Sequence, residues 1–287
     1  MRKITGALAL CLGMFWHMTT AAQAPMNPKV GVQLWSVRDA LQADFAGTLA
    51  ALADMGFDGV EFYGNEFGPY GSKPLALKAY LESIGLVSAG AHVSAEALEP
   101  DQLAQTLAFH QQLGSPALVV GMDKRAWNKK GVYELSRLLN AAAQGSRDSG
   151  IQIGYHNHDK EFRSFKDSTF WDVLAENTLD EVVLQLDVGW ATYADVDAVA
   201  YVQKYPGRTF STHYKVHKPP FSLNKRPFVG EGDTDWPALL DANLTDGGTA
   251  WLLVEQEAYP DDMTPLETVA TSLQGLQALL AAHENTE

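Results

Sequence analysis

A chain of 287 residues that is 46% hydrophobic and 20% charged can bury a large core, yet it is too polar for a bundle of membrane helices. Its 21 Lys and Arg stand against 35 Asp and Glu, a net charge of −14, and a field of that sign repels phosphate backbones and anionic lipid. Nucleic acid and membrane surfaces are thereby argued against as partners, and a small solute is expected.

The chain starts with Arg2 and Lys3, an apolar run from Ile4 to Trp16, and small residues ending Ala21-Ala22-Gln23-Ala24. This is the pattern of a secretory signal over residues 1–24. The run is shorter than the ~20 residues a bilayer span needs, so the expectation is cleavage, a periplasmic or secreted product and no membrane attachment afterwards. Cys11, the single cysteine, lies in that segment, so the mature chain would contain neither a disulfide nor a thiolate ligand. It would carry 19 basic against 35 acidic residues, a net charge of −16.

From Lys29 onward, short apolar runs alternate with amphipathic stretches, the pattern of βα units. Strands are expected at Val30–Trp35, Gly59–Phe62, Val87–His92, Ala117–Val120, Ile151–His156, Val182–Asp187, Thr212–Val216 and Trp251–Glu255. Helices are expected among them at Phe45–Met55, Gln102–Leu113, Tyr133–Ala143, Trp171–Asn177 and Ala194–Val202, with Leu266–Ala282 closing the chain. Eight repeats with no linker predict a single (β/α)8 barrel over residues 28–284. The competing open doubly wound sheet lacks its fingerprint, since Gly230-Glu231-Gly232 has no third glycine in place and follows a loop.

In such a barrel, chemistry sits at the carboxyl ends of the strands. Those ends carry Gln33, Glu61, His92, His156 with His158, Asp187, His213 with Lys215 and His217, and Glu255 with Glu257. Side chains alternate along a strand, so His156 and His158 share one face, as do His213, Lys215 and His217. Five of the seven histidines beyond the signal segment fall at these positions, leaving His110 and His283 elsewhere. Nitrogen and carboxylate donors without sulfur suit one divalent ion of Mn, Co, Zn, Fe or Mg. The bland reading of the same residues is a polar network holding loops, with Asp187 a helix cap and Glu255 an ion-pair partner of Lys215. Trp35 and Trp190 are expected as pocket walls, and the proline-bearing stretch Lys218–Val229 as a loop that covers the site or meets another subunit. The sequence leaves homo-oligomerisation open.

Gly31-Val-Gln-Leu-Trp-Ser-Val-Arg38, Gly59-Val-Glu-Phe62, Gly90-Ala-His-Val-Ser94, Tyr155-His-Asn-His158, Leu186-Asp-Val-Gly-Trp190, His213-Tyr-Lys-Val-His217 and Val254-Glu-Gln256 together resemble the xylose-isomerase-like sugar phosphate isomerase/epimerase superfamily. The resemblance implies a divalent metal held by Glu, Asp, His and Glu from the fifth to eighth strands, the two Glu also moving substrate protons. Asp187, His213 and Glu255 match the last three positions. The first is a departure: His156, or His158 in a register two residues later, stands where the family offers Glu. A metal-bound His156 could not act as a base, which leaves Glu255, His158 or Lys215 to transfer protons. Gln33, Trp35, Glu61, His92, Trp190 and His217 would then contact a carbohydrate. The implied function is a metal-dependent isomerase or epimerase acting through an enediolate on an unphosphorylated sugar or keto-sugar. The alternatives are a 3-keto-glycoside lyase or hydratase, favoured by the His-for-Glu departure, and a non-catalytic periplasmic sugar-binding barrel. Apurinic-site endonuclease activity, also found in the superfamily, is opposed by the acidic charge and the expected export.

Overall fold

The computed structural model describes residues 27–216, 228–260 and 262–285. Eight parallel strands close into a barrel: β1 Lys29–Gln33, β2 Gly59–Tyr63, β3 Val87–Val93, β4 Ala117–Val120, β5 Gln152–His156, β6 Val183–Asp187, β7 Ser211–Tyr214 and β8 Trp251–Val254. The order around the barrel is β1-β8-β7-β6-β5-β4-β3-β2, so chain neighbours are sheet neighbours throughout, as eight right-handed βα units require. No helix among the described residues is long and apolar enough to cross a membrane.

The outer helices are α1 Arg38–Ala43, α2 Phe45–Met55, α3 Pro74–Ser83, α4 Leu103–Leu113, α5 Gly131–Ser146, α6 Phe170–Glu176, α7 Val188–Tyr193, α8 Ala198–Lys204, α9 Trp236–Ala242 and α10 Pro265–Glu284, and local sequence rules set their ends. In α2, Phe45–Met55, the Asp44 carboxylate accepts the Gly47 N–H at 2.9 Å, while Gly56 ends the helix with a left-handed φ of 99° that L side chains resist. Between those caps the helix turns Thr48, Leu49 and Leu52 onto the strands. Burying each leucine contributes about 2 kcal/mol. The last helix, α10 at Pro265–Glu284, starts with a reciprocal capping box between Thr264 and Glu267.

Most element ends shift by one to three residues from the sequence expectation, and three differences bear on the site. β1 stops at Gln33 rather than Trp35, because the Gln33 side chain accepts the Trp35 N–H and starts a 3-10 turn over Leu34–Val37. The helix expected at Ala194–Val202 starts only at Ala198, as α8 Ala198–Lys204, and an unexpected helix, α7 Val188–Tyr193, precedes it. Asp195, at φ 56°, breaks the run, and Asp197 caps the restart. β7 ends at Tyr214 and not Val216. The signal segment 1–24, His217 and residues 218–227 of the expected covering loop lie outside the described residues.

The barrel interior is layered. At the amino-terminal floor, Trp251, Leu253 and Ala89 form a cluster separate from the core between strands and helices. A Cβ at Gly59 would stand 2.7 Å from both the Trp251 ring and the Val87 carbonyl, so only glycine lets the indole lie there. Toward the other end, the same inward faces become polar.

Candidate metal centre

Strand pairing brings the donors together. Asp187 and His213 are register partners across β6 and β7, His156 ends β5, and Glu255 follows β8. One ligand atom from each of His156, Asp187, His213 and Glu255 lies within 4.8 Å of the others, and all four residues are buried. Asp187 Oδ2 is 3.8 Å from His156 Nε2 and 4.0 Å from His213 Nδ1, which donates to Glu255 Oε2 at 2.8 Å. Two nitrogens and two carboxylate oxygens fit one divalent ion of the mixed-donor kind. Asp187 serves both readings given by the sequence: Oδ1 caps α7 by accepting the Trp190 N–H at 2.8 Å, and Oδ2 faces the ring of donors. His156, not His158, completes that ring.

A second polar layer lies beneath. Glu61 Oε2 accepts from His213 Nε2 at 2.7 Å and Gln33 Nε2 at 2.6 Å, while Gln185 Nε2 donates to Glu61 Oε1 at 2.7 Å. Gln185 Oε1 accepts from His92 Nε2 and His156 Nδ1. Thus both candidate imidazole ligands have their far nitrogens held by an oxygen, the arrangement that orients ligating histidines in metal proteins. Gln33 and Glu61, expected to contact carbohydrate, are 1% exposed with their polar atoms engaged in this layer. Their geometry holds His213 and the donor ring. His92 stacks on His213 at 5.3 Å between ring centroids and remains partly open.

Charge is tightly compensated. Burial alone would lower the His213 pKa, but Glu61 and Glu255 push it up to about 10. Burial would raise Glu255, yet Lys215 and His213 hold it well below the usual carboxylate range. Asp187 is raised to about 7 by burial, with Lys215 opposing. Lys215 Nζ lies 3.2 Å from Asp187 Oδ2 and 3.4 Å from Glu255 Oε2, and also pairs with Glu257. These carboxylates outweigh its burial and keep it a cation, so it can neutralise or donate but not act as a base. His158 is lowered to about 4, first by burial and then by Lys215, and is therefore a neutral imidazole. Its Nδ1 is a buried atom with no hydrogen-bond partner, which leaves it free for a ligand hydroxyl.

The rim is aromatic. Trp35 is 40% exposed, donates Nε1–H to Glu257 Oε1 at 3.1 Å, and carries Arg38 over its ring at 4.4 Å. Trp190 packs against His158 at 5.3 Å and under Lys215 at 4.9 Å. Residues that the sequence reading passed over support these groups. Asn157 clamps Asp187 through both its backbone N–H and C=O, and Glu161 accepts the His158 N–H and the Tyr155 hydroxyl. Gln185 had a signal, two residues before Asp187 on the same strand face; Glu161 had none. A cleft of about 650 Å³ between the loops after β2 and β3 and α4, Leu103–Leu113, includes none of the four donors.

Comparison with known proteins agrees with this architecture. The chain is 25% identical over 296 residues to an inosose dehydratase of Mesomycoplasma hyopneumoniae strain J, covering 89% of this chain and 97% of that one. An inosose dehydratase of Lactiplantibacillus plantarum is 25% identical over 161 residues, 50% of this chain and only 53% of the relative. A crystal structure of a sugar phosphate isomerase/epimerase from Parabacteroides distasonis superposes with a TM-score of 0.74 at 24% identity, covering 91% and 97% of the two chains. L-ribulose 3-epimerase superposes at 0.68 with 16% identity over 90% and 96%, a likeness of fold. The family model of the xylose isomerase-like TIM barrel matches residues 49–279, and the chain belongs to that family.

Proposed function

We propose that this protein is a divalent-metal-dependent carbohydrate lyase of the dehydratase type, removing a proton α to a carbonyl and expelling the substituent on the next carbon. The observation that carries this reading is His156. It occupies the donor ring where a two-base epimerase would need a second carboxylate, and its other nitrogen is already bonded to Gln185. Of the two carboxylates in the ring, Asp187 is tied to the Trp190 N–H and to Lys215, and Glu255 is assigned the proton transfer. A single base suits elimination, because the proton it takes from carbon is the one the departing oxygen needs, whereas inverting a stereocentre needs an acid and a base on opposite faces.

His156, Asp187, His213 and Glu255 would hold the ion, which when bound polarises the carbonyl and stabilises charge developing on its oxygen. Lys215 holds Glu255 ionised, opposes the rise at Asp187 and adds a fixed positive charge at the mouth. His158, neutral and with a free Nδ1, orients a hydroxyl. Trp35 and Trp190 offer faces to a sugar ring. The substrate is read as unphosphorylated. Among the described residues, Lys215 is consumed by three carboxylates and Arg38 by Trp35 and Tyr259. Export through residues 1–24 would also remove the chain from phosphorylated sugars.

The test is NMR of the metal-loaded protein with an inosose and with a 3-keto-glycoside in D2O. Release of water or aglycone with an unsaturated ketone supports the lyase. Epimer formation without release restores the isomerase reading, and binding without turnover favours a sugar-binding barrel.

A further inference from the structure

Gln185 is fully buried on the inward face of β6, and each of its side-chain atoms makes two bonds. Oε1 accepts from His92 Nε2 at 2.6 Å and His156 Nδ1 at 3.0 Å. Nε2 donates to Glu61 Oε1 at 2.7 Å and Ser211 Oγ at 2.8 Å. The amide cannot turn over, because that would set its oxygen against the Glu61 carboxylate, which has no hydrogen to donate. An amide oxygen accepts and never donates, so His156 must carry its hydrogen on Nδ1. Nε2, on the side of Asp187 Oδ2, is then a bare lone pair.

The opposite tautomer would damage the centre. With hydrogen on Nε2, His156 would donate toward Asp187 Oδ2 and two of the four donors would satisfy each other. We propose that Gln185 is the positioning residue that selects the Nδ1–H tautomer of His156 and so keeps the donor ring open for a divalent ion. Glu61 accepts the Nε2–H of His213, whose Nδ1 still donates to Glu255 Oε2 and would have to give up that hydrogen to an incoming ion, and the Gln185–Glu61 bond joins the two imidazoles across 124 residues of chain. Gln185 itself coordinates nothing and touches no substrate. This rests on the reading that the ring binds metal.

Nitrogen NMR of histidine-labelled, metal-free protein reports the tautomer, and calorimetric titration with Co2+ reports the ring. Wild type is expected to show His156 protonated at Nδ1 and bare at Nε2. Gln185→Met, of similar length but without acceptor or donors, should lose that tautomer and bind Co2+ about 10- to 100-fold more weakly. Ser211→Ala, which removes a different partner of the same amide, should keep both. Hydrogen on His156 Nε2 in wild type, or a folded Gln185→Met that binds Co2+ as well as wild type, would overturn the proposal. If Gln185→Met does not fold, the wild-type spectrum decides alone. If wild type takes up no Co2+, the lyase reading fails, while the spectrum still judges the tautomer.

Discussion

The floor and the mouth of this barrel are made by the same strands, yet they obey opposite rules. On β8, Trp251 and Leu253 point into the floor, and Glu255, two residues on and about 7 Å further along, stands in the donor ring. On β2, Gly59 makes room for the Trp251 ring, and two residues on Glu61 is bonded to His213 and Gln33. On β5, Gly154 gives way to His156 in the same step. The floor is close-packed hydrocarbon in which an added methyl group has no place. At the mouth, burying charge is costly unless every partner is present, which is why acids, imidazoles and Lys215 come as one connected set. The lower half therefore supports folding and the upper half gathers the donor ring, with the Gln185–Glu61 layer as the border. Substitutions should separate the two.

The largest separation is expected from Asp187→Ala. Elemental mass spectrometry should find close to one divalent ion per wild-type chain and none in the variant. Unfolding free energy should fall by about 2 kcal/mol, for the lost cap on α7 and the loss of one of the three carboxylates around Lys215. An ion retained in the variant would remove Asp187 from the centre. Trp251→Ala should do the reverse, costing about 4 kcal/mol in denaturant unfolding by emptying the floor, while the folded fraction keeps its metal. Metal loss in that variant, measured well below its unfolding midpoint, would show that the two layers are not independent.

This division explains what could be read from the sequence. The strands and the polar groups at their carboxyl ends follow from period-two alternation and from the place where each apolar run turns polar, while the choice of Asp187, His213 and Glu255 among those groups as ring members is what the family resemblance implies. The first position was ambiguous between His156 and His158, because both lie on one strand face and only the closed barrel shows which nitrogen meets Asp187. Glu61 and Gln33 were expected at the substrate. Their place below the ring depends on partners 152 and 28 residues away and on a register irregularity after Val60, where β3 carries Gly90 at φ 144°. Glu161 was illegible for a different reason. Its task, taking the His158 N–H and the Tyr155 hydroxyl, is performed from a loop with no periodicity to betray it.

A third region lies outside both layers and adds a pH dependence. His110 on α4 is buried among Phe67 and Phe109, with Nδ1 bonded to Ser115 Oγ at 3.1 Å. Burial lowers its pKa to about 4, whereas the unfolded chain titrates near 6.5. Between those values the unfolded state binds more protons, so the contribution of this site is intact above pH 6.5 and is lost as pH falls toward 4. The loss amounts to about 3 kcal/mol. His110→Gln should flatten the dependence of the urea midpoint over that interval relative to wild type. Parallel curves would mean that His110 is protonated in the fold at no cost.

The smallest effect belongs at the capping box of α10. Thr264 accepts the Glu267 N–H through its hydroxyl, and the Glu267 carboxylate accepts both the Thr264 N–H at 2.7 Å and its hydroxyl at 2.8 Å. All of these groups are exposed, so water replaces much of what a substitution removes, and Thr264→Ala should cost about 1 kcal/mol. α10 also packs on the turn after β1 and on β8, whose continuation carries Glu255, so fraying of its first turn has a direct route to the donor ring. Unchanged Co2+ affinity in Thr264→Ala would show that the ring is held by its own polar layer. Weakened affinity together with the small stability loss would make the helix that closes the barrel part of the apparatus that positions the ion.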